Sequence, residues 1–252
     1  MGVKQALLLG LVAATLAAGL PSRAGAESSC FSVDHTRPQR LMEGNLDGDG
    51  VKDAVWVGAR EQRGRCRFYV FVHTSTGGRS RVRLRAPDRF SRYSLRHNAR
   101  PIALIRVDAT AGREIAIKLL QGASVRPFGF FTMRQGRLRR MGIQGKIAKP
   151  LAAEDMFAFG GGLSLMFATD CAYGKAPRTV VHSRAYPKGA IGGRYIVERR
   201  WYQVRGSDFV RTTHPVQKEV LRVGNIKRSF SEYRHGGLLA HCRGKVLDPR
   251  HA

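Results

Sequence analysis

Acidic side chains are scarce in this chain: 18 Asp and Glu stand against 44 Lys and Arg in 252 residues, a formal net charge of +26. Hydrophobic residues make up 43%, close to the globular average, so a wholly disordered chain is excluded. No apolar run of spanning length follows residue 20, which excludes a helical membrane channel. Neither a heptad nor a Gly-X-Y period is present, which excludes a coiled coil and a collagen-like chain. None of the four cysteines forms a C-x-x-C pair, so a zinc ribbon and a thioredoxin-like redox site lack their sulfurs. H-E-x-x-H, G-x-S-x-G and a P-loop are also missing. The nearest approach to a nucleophile elbow, Gly161-Gly162-Leu163-Ser164-Leu165, lacks its closing glycine. Helix formers are not clustered and glycine is abundant, which leans towards strands and turns.

The N-terminus has the three parts of an export signal: Lys4, an apolar run over residues 6–20, and the small-x-small step Ala24-Gly25-Ala26. Residues 1–26 are expected to be removed, leaving a mature domain over 27–252 with a charge of +24, secreted to the periplasm or the exterior. Export permits disulfides among Cys30, Cys66, Cys171 and Cys242. Four cysteines allow three pairings; Cys30 with Cys66 and Cys171 with Cys242 keeps each bridge within one half of the chain and is the expected arrangement. Asp170 is read as part of that second bridge, and His241 as a surface histidine beside it rather than a metal ligand.

The pattern of apolar alternation predicts an all-β fold of blade-like antiparallel sheets, either a partial β-propeller or a β-sandwich. Residues 65–73 place Cys66, Phe68, Val70 and Val72 on one face, and residues 114–120 do the same for Ile115, Ile117 and Leu119. Three units are expected, over about 40–95, 101–143 and 157–223. An acid opens the first two, Asp53 and Glu114, followed by an apolar strand, an aromatic-rich strand, a glycine turn and a basic strand. A short helical turn is expected over 151–157, and Gly160-Gly161-Gly162 reads as a flexible turn.

One loop carries chemistry. In Gly44-Asn45-Leu46-Asp47-Gly48-Asp49-Gly50-Val51-Lys52-Asp53, oxygen-bearing side chains alternate at Asn45, Asp47 and Asp49, and Gly50 allows the turn that aims them at one centre. The carbonyl of Val51 and the carboxylate of Asp53 can complete a Ca²⁺ shell of six to eight oxygens. Glu43, Asp47, Asp49 and Asp53 put four of the 18 acids within residues 43–53 of a very basic chain. An Asp-Gly hairpin turn without metal is the alternative. The position where an EF-hand needs its bidentate Glu is Trp56, so this is no EF-hand. The loop running directly into Asp53-Ala54-Val55-Trp56-Val57 resembles the FG-GAP or VCBS repeat of integrin-type propellers and secreted bacterial proteins. The resemblance implies Asn45, Asp47, Asp49 and Asp53 as side-chain ligands, Val51 as carbonyl ligand, and Ca²⁺ as the cofactor. A fainter copy, read as one residue short, with Thr110 and Ala111 in place of ligands and so without calcium, lies at Val107-Asp108-Ala109-Thr110-Ala111-Gly112-Arg113-Glu114-Ile115.

The surplus charge has a pattern too. Arginine outnumbers lysine 34 to 10, a skew that codon composition also produces. In Ser80-Arg81-Val82-Arg83-Leu84-Arg85-Ala86 the arginines alternate with apolar residues, so a strand would turn Arg81, Arg83 and Arg85 outward as a comb with teeth about 7 Å apart. Arg137, Arg139 and Arg140 offer a second basic set. Such a comb suits a line of phosphates or carboxylates, and equally guards an edge strand. The resulting expectation is a secreted, calcium-stabilised β-repeat binding or scaffold module. Its basic face would contact an anionic envelope polymer such as teichoic acid, a polysaccharide, or nucleic acid. The alternative is a secreted hydrolase of an anionic substrate, which would need a basic groove holding a His and an acid together.

Overall fold

The computed structural model of the chain describes residues 41–63, 65–84, 95, 98–108, 110–120, 122, 124–144, 156–172, 179–222 and 238–246. The export segment, Cys30, Arg85, and 151–155 of the expected helical turn lie outside them. Alternating apolar residues pull the first strands onto a shared core. β1 (Met42–Gly44), β2 (Asp53–Gln62), β3 (Arg65–His73) and β4 (Arg79–Arg83) form an antiparallel sheet in chain order. Val55, Val57 and Ala59 of β2 face inward with Phe68, Val70 and Val72 of β3, and Leu84 follows from β4. Cys66 and Val82 pack on the same cluster, as their alternation predicts.

The next four strands repeat that meander: β5 (Arg100–Arg106), β6 (Glu114–Lys118), β7 (Val125–Arg134) and β8 (Arg137–Arg140). β5, β6 and β7 are buried on both faces. Ile115, Ile117, Phe131 and Met133 point into the core shared with the first sheet. Ala116, Phe128 and Phe130 point the other way, into a second core. One layer thus separates two cores, which makes the fold all-β and sandwich-like.

The remaining strands extend the second sheet. They are β9 (Ile143–Gln144), β10 (Phe157–Gly162), β11 (Leu165–Cys171), β12 (Thr179–Lys188), β13 (Arg194–Arg205), β14 (Asp208–Arg211), β15 (Gln217–Arg222) and β16 (Arg243–Val246). β10 and β8 share one edge of β7, and β14 and β15 share one edge of β13. β9, which follows β8 directly, pairs in parallel with β14, and β16 pairs with β5. Phe128, Phe130, Phe157, Phe159, Tyr202 and Phe209 fill the second core, and Phe157 meets Phe209 edge to face at 5.1 Å.

Two expectations from sequence give way here. Phe157 opens strand β10 instead of closing a helical turn. Gly160–Gly162 belong to that strand too, paired with Leu165–Phe167 of β11, instead of forming a flexible turn. The reason is close backbone approach: a Cβ on Gly161, at φ +131°, would stand 2.2 Å from the Leu165 carbonyl oxygen.

Candidate cation loop and basic sheet face

Between β1 and β2, side chains of the loop over residues 45–53 replace missing backbone partners. Asn45 Oδ1 accepts the Gly48 N–H at 2.7 Å, Asp47 Oδ1 the Asp49 N–H at 3.1 Å, and Asp49 Oδ1 the Val51 N–H at 2.7 Å. Gly50 turns the chain at φ +93°. Asp53, buried where β2 begins, ties the start of the loop to the turn between β3 and β4. Its Oδ2 accepts the Leu46 N–H at 2.7 Å, and its Oδ1 the Ser75 N–H at 2.9 Å. Ser75 Oγ donates to Asp49 Oδ2 at 2.7 Å; that bond, with the Val51 N–H, holds the Asp49 carboxyl below the usual range.

Carboxylate oxygens of Asp47, Asp49 and Asp53 consequently lie within 4.8 Å of one another. None of the three forms an ion pair among the described residues. Each oxygen engaged by an N–H keeps a second lone pair. Three hard, anionic donors held this close repel one another, and they suit a hard cation such as Ca²⁺. In donor chemistry these residues fit the metal. Asn45 and Val51 are positioned by the same turns, and Val51 is 55% exposed.

A second loop between β5 and β6 shows the same plan 61 residues on. Val107 N–H donates to Glu114 Oε2 at 2.9 Å, the counterpart of Leu46 to Asp53, and Thr110 N–H donates to Asp108 Oδ1 at 2.8 Å, the counterpart of Asp49 to Asp47. The spacing is therefore equal in the two loops, correcting the reading that the second is one residue short; the acid is simply Glu where the first has Asp. The cation is built in. The Arg134 guanidinium pairs with Asp108, donates to Thr110 Oγ1 at 3.0 Å, and lies 3.7 Å from Glu114 Oε1. Those three residues stand where Asp47, Asp49 and Asp53 stand in the first loop. Burial pushes the Glu114 carboxyl up to about 7 despite the Val107 N–H and Arg134. The two loops also touch, through the Arg113 N–H to the Asn45 carbonyl at 3.0 Å.

The outer face of the first sheet is basic and aromatic. Arg79, Arg81 and Arg83 are all exposed on β4, so the described part of the comb stands as expected, one tooth earlier than the sequence reading began. Register sets Trp56 of β2 beside Phe71 of β3 and Phe71 beside Arg81 of β4; the next row is Gly58, Tyr69, Arg83, and Arg60 faces Arg67 beyond it. Trp56 and Phe71 stack at 5.5 Å, with the Arg60 guanidinium 5.7 Å from the Phe71 ring and that of Arg81 5.4 Å from Tyr69. A cavity of about 450 Å³ is lined by Trp56, Arg60, Phe71, His73, Arg79 and Arg81 among others. Trp56 Nε1 is buried there without a hydrogen-bond partner. Sequence reasoning missed Trp56, Tyr69, Phe71, Arg60, Arg67 and Arg79. Their signal was the complement of the alternation already read: whatever is not inward on β2 and β3 is outward. Arg137 and Arg139 are exposed on β8, which lies beside β4 through the Leu138 N–H to Ser80 Oγ bond of 2.8 Å, while Arg140 is half-buried. The two basic strands are thus neighbours.

Elsewhere, Cys171 and Cys242 are bonded to each other as expected, and Cys66 is disulfide-bonded as well. Asp170 braces the Cys171–Cys242 bridge. It accepts the Cys171 and His241 N–H groups at 2.8 and 2.7 Å and pairs with His241 Nδ1 at 2.5 Å. Desolvation raises the Asp170 carboxyl above its usual range. Glu198 gathers Arg184, Arg200, Lys218 and the Tyr186 hydroxyl on the β12–β13–β15 surface, a cluster with no local sequence signal. No known protein family, curated protein or solved structure matches the chain.

Proposed function

We propose that the chain is an exported β-repeat module, related to the FG-GAP or VCBS repeats, that binds anionic polymers through the outer face of its first sheet and is stabilised by Ca²⁺ at residues 45–53. One observation carries the binding reading: the described outward side chains of β2, β3 and β4 include Arg60, Arg67, Arg79, Arg81 and Arg83 and no acid. A single-sign face on a chain of +26 attracts polyanions over a Debye length and offers planar forks for phosphate or carboxylate. The calcium reading is supported by the contrast between the loops. Where the second loop has Arg134, the first has three converging carboxylates and, among the described residues, no ion-paired cation. The hydrolase alternative needed a basic groove with a His and an acid together. The groove contains His73 and no acid among its described lining, and the Asp170–His241 pair belongs to the disulfide.

Two measurements test this reading. Arg79, Arg81 and Arg83 changed together to Gln should weaken heparin binding far more than the exposed set Arg194, Arg205 and Arg222 changed likewise, at equal net charge. Equal losses would mean diffuse attraction and reduce β4 to a guarded edge. Calcium should raise the melting temperature, by about 2.7 kcal/mol of stability at a hundredfold excess over Kd, and Asp47→Ala or Asp49→Ala should abolish most of the gain. A wild-type melt unmoved by calcium would leave the loop a plain turn.

A further inference from the structure

On the basic face the β4 arginines form a file of their own beside the rings, and Arg60 and Arg67 extend the ring-bearing strands β2 and β3. Arg79, Arg81 and Arg83 stand along β4, Phe71 and Tyr69 along β3 next to them, and Trp56 along β2, one strand further on. Adjacent files are about 4.8 Å apart, and successive arginines about 7 Å. Gly58 leaves a gap in the ring file, and Phe71 leans over it: a Cβ there would meet Phe71 Cε2 at 2.9 Å and Trp56 Nε1 at 3.8 Å. Phe71 is only 7% exposed, so it backs Trp56, while Trp56 and Tyr69 keep part of their surface in solvent.

We propose that this face binds single-stranded nucleic acid, with bases stacking on Trp56 and Tyr69 and phosphates running along Arg79, Arg81 and Arg83. The inference deepens the polymer-binding reading and rests on it. A polyphosphate-type polymer has no ring to place on the aromatic file. A uronate polysaccharide carries its charge on the sugar ring itself, so ring and charge would fall over one file. A nucleic acid strand carries charge on its backbone and flat, apolar rings to one side, which matches rings on β3 and β2 flanked on one side by the arginine file of β4. A duplex hides its base faces, so the single strand is the form that fits. Stacking on rings with arginines tracking the backbone reads no hydrogen-bond code, so the binding is tolerant of sequence; a base on the Tyr69 face that Arg81 covers would displace its guanidinium towards the phosphates.

Fluorescence decides it. The chain has two tryptophans, so Trp201→Phe leaves Trp56 as the sole reporter. The reporter protein is titrated at fixed salt with a 20-nucleotide oligothymidylate, inorganic polyphosphate or polygalacturonate. Oligothymidylate should quench Trp56 and polyphosphate should not. Replacing Trp56 and Tyr69 by Ala, followed by anisotropy of labelled ligands, should weaken oligothymidylate binding by on the order of tenfold per lost stack and leave polyphosphate binding unchanged. Trp56→Phe should retain most of the affinity, and matching melting curves would show that the variants are folded. Equal losses for oligothymidylate and polyphosphate, or no loss for either, would overturn the stacking claim while polymer binding stood. Tighter, ring-dependent binding of polygalacturonate would replace nucleic acid with acidic glycan. Failure of all three polymers to bind would remove the underlying reading itself.

Discussion

Arg134 does in the second loop what a metal would do in the first. It reaches Asp108, Thr110 and Glu114 from the end of β7, 26 residues beyond Asp108. Asp47, Asp49 and Asp53 were legible in sequence because their spacing is local. Arg134 and Ser75 were not, because they arrive across a hairpin and only the register brings them in. Thr110→Asp with Arg134→Ala restores the third carboxylate and removes the internal cation. The introduced carboxylate then stands with Asp108 and with Glu114, whose carboxyl burial already pushes up to about 7. Calorimetry should then find two calcium ions per chain where the parent binds one, the new one weaker because Glu114 must give up its proton to bind. Arg134→Ala alone should bind no extra ion, and should destabilise the fold by roughly 1–3 kcal/mol, since the partly buried Asp108 and the buried Glu114 lose their partner. A double variant still binding a single ion would mean that the two loops are not equivalent.

At the scale of strands, what could be read was whatever alternates. β3 and β4 could be placed from Cys66, Phe68, Val70, Val72 and the arginine comb, because one face is core and the other solvent. β10 could not: Gly161 answers to the Leu165 backbone across the hairpin and Gly160 to the Ser124 carbonyl, constraints with no period. His182 on β12 was equally silent. It is fully buried, bonded to Thr169 Oγ1 at 2.9 Å and stacked on Phe167. Burial, with Arg200 and Arg184 nearby, pushes its imidazole down to about 3. The folded value lies below the unfolded one, so the fold binds fewer protons. Stability tied to a neutral His182 is complete above about 6.5 and is lost as pH falls from there towards 3. His182→Phe keeps a ring against Phe167 and has no proton to take up. Urea melts between pH 7 and 4 should show wild type losing stability steadily, and the variant losing it less steeply by up to one proton's worth of slope. Parallel pH profiles for the two proteins would rule out His182 as a source of the acid sensitivity.

For the whole molecule, composition foretold an all-β chain and a basic surface, but it could not say where the charge is focused. A total of +26 is a sum, and focusing depends on which strands lie next to one another. The pairing order β2–β3–β4 turns a one-dimensional comb into a two-dimensional face by adding Arg60, Arg67 and the aromatic file, none of which neighbours the comb in sequence. Salt can separate focused from diffuse attraction. For a single strand, log K falls against log salt with a slope of about −0.7 per phosphate neutralised. If Arg79, Arg81 and Arg83 each hold one phosphate, changing all three to Gln should make the slope shallower by about 2. The exposed control arginines Arg194, Arg205 and Arg222 should leave it nearly unchanged, although they remove the same charge. Affinity for oligothymidylate measured from 50 to 300 mM salt gives both slopes. If the two triple variants shift the slope alike, the polymer senses the net charge of the chain, and the file on β4 has no privileged part in holding it.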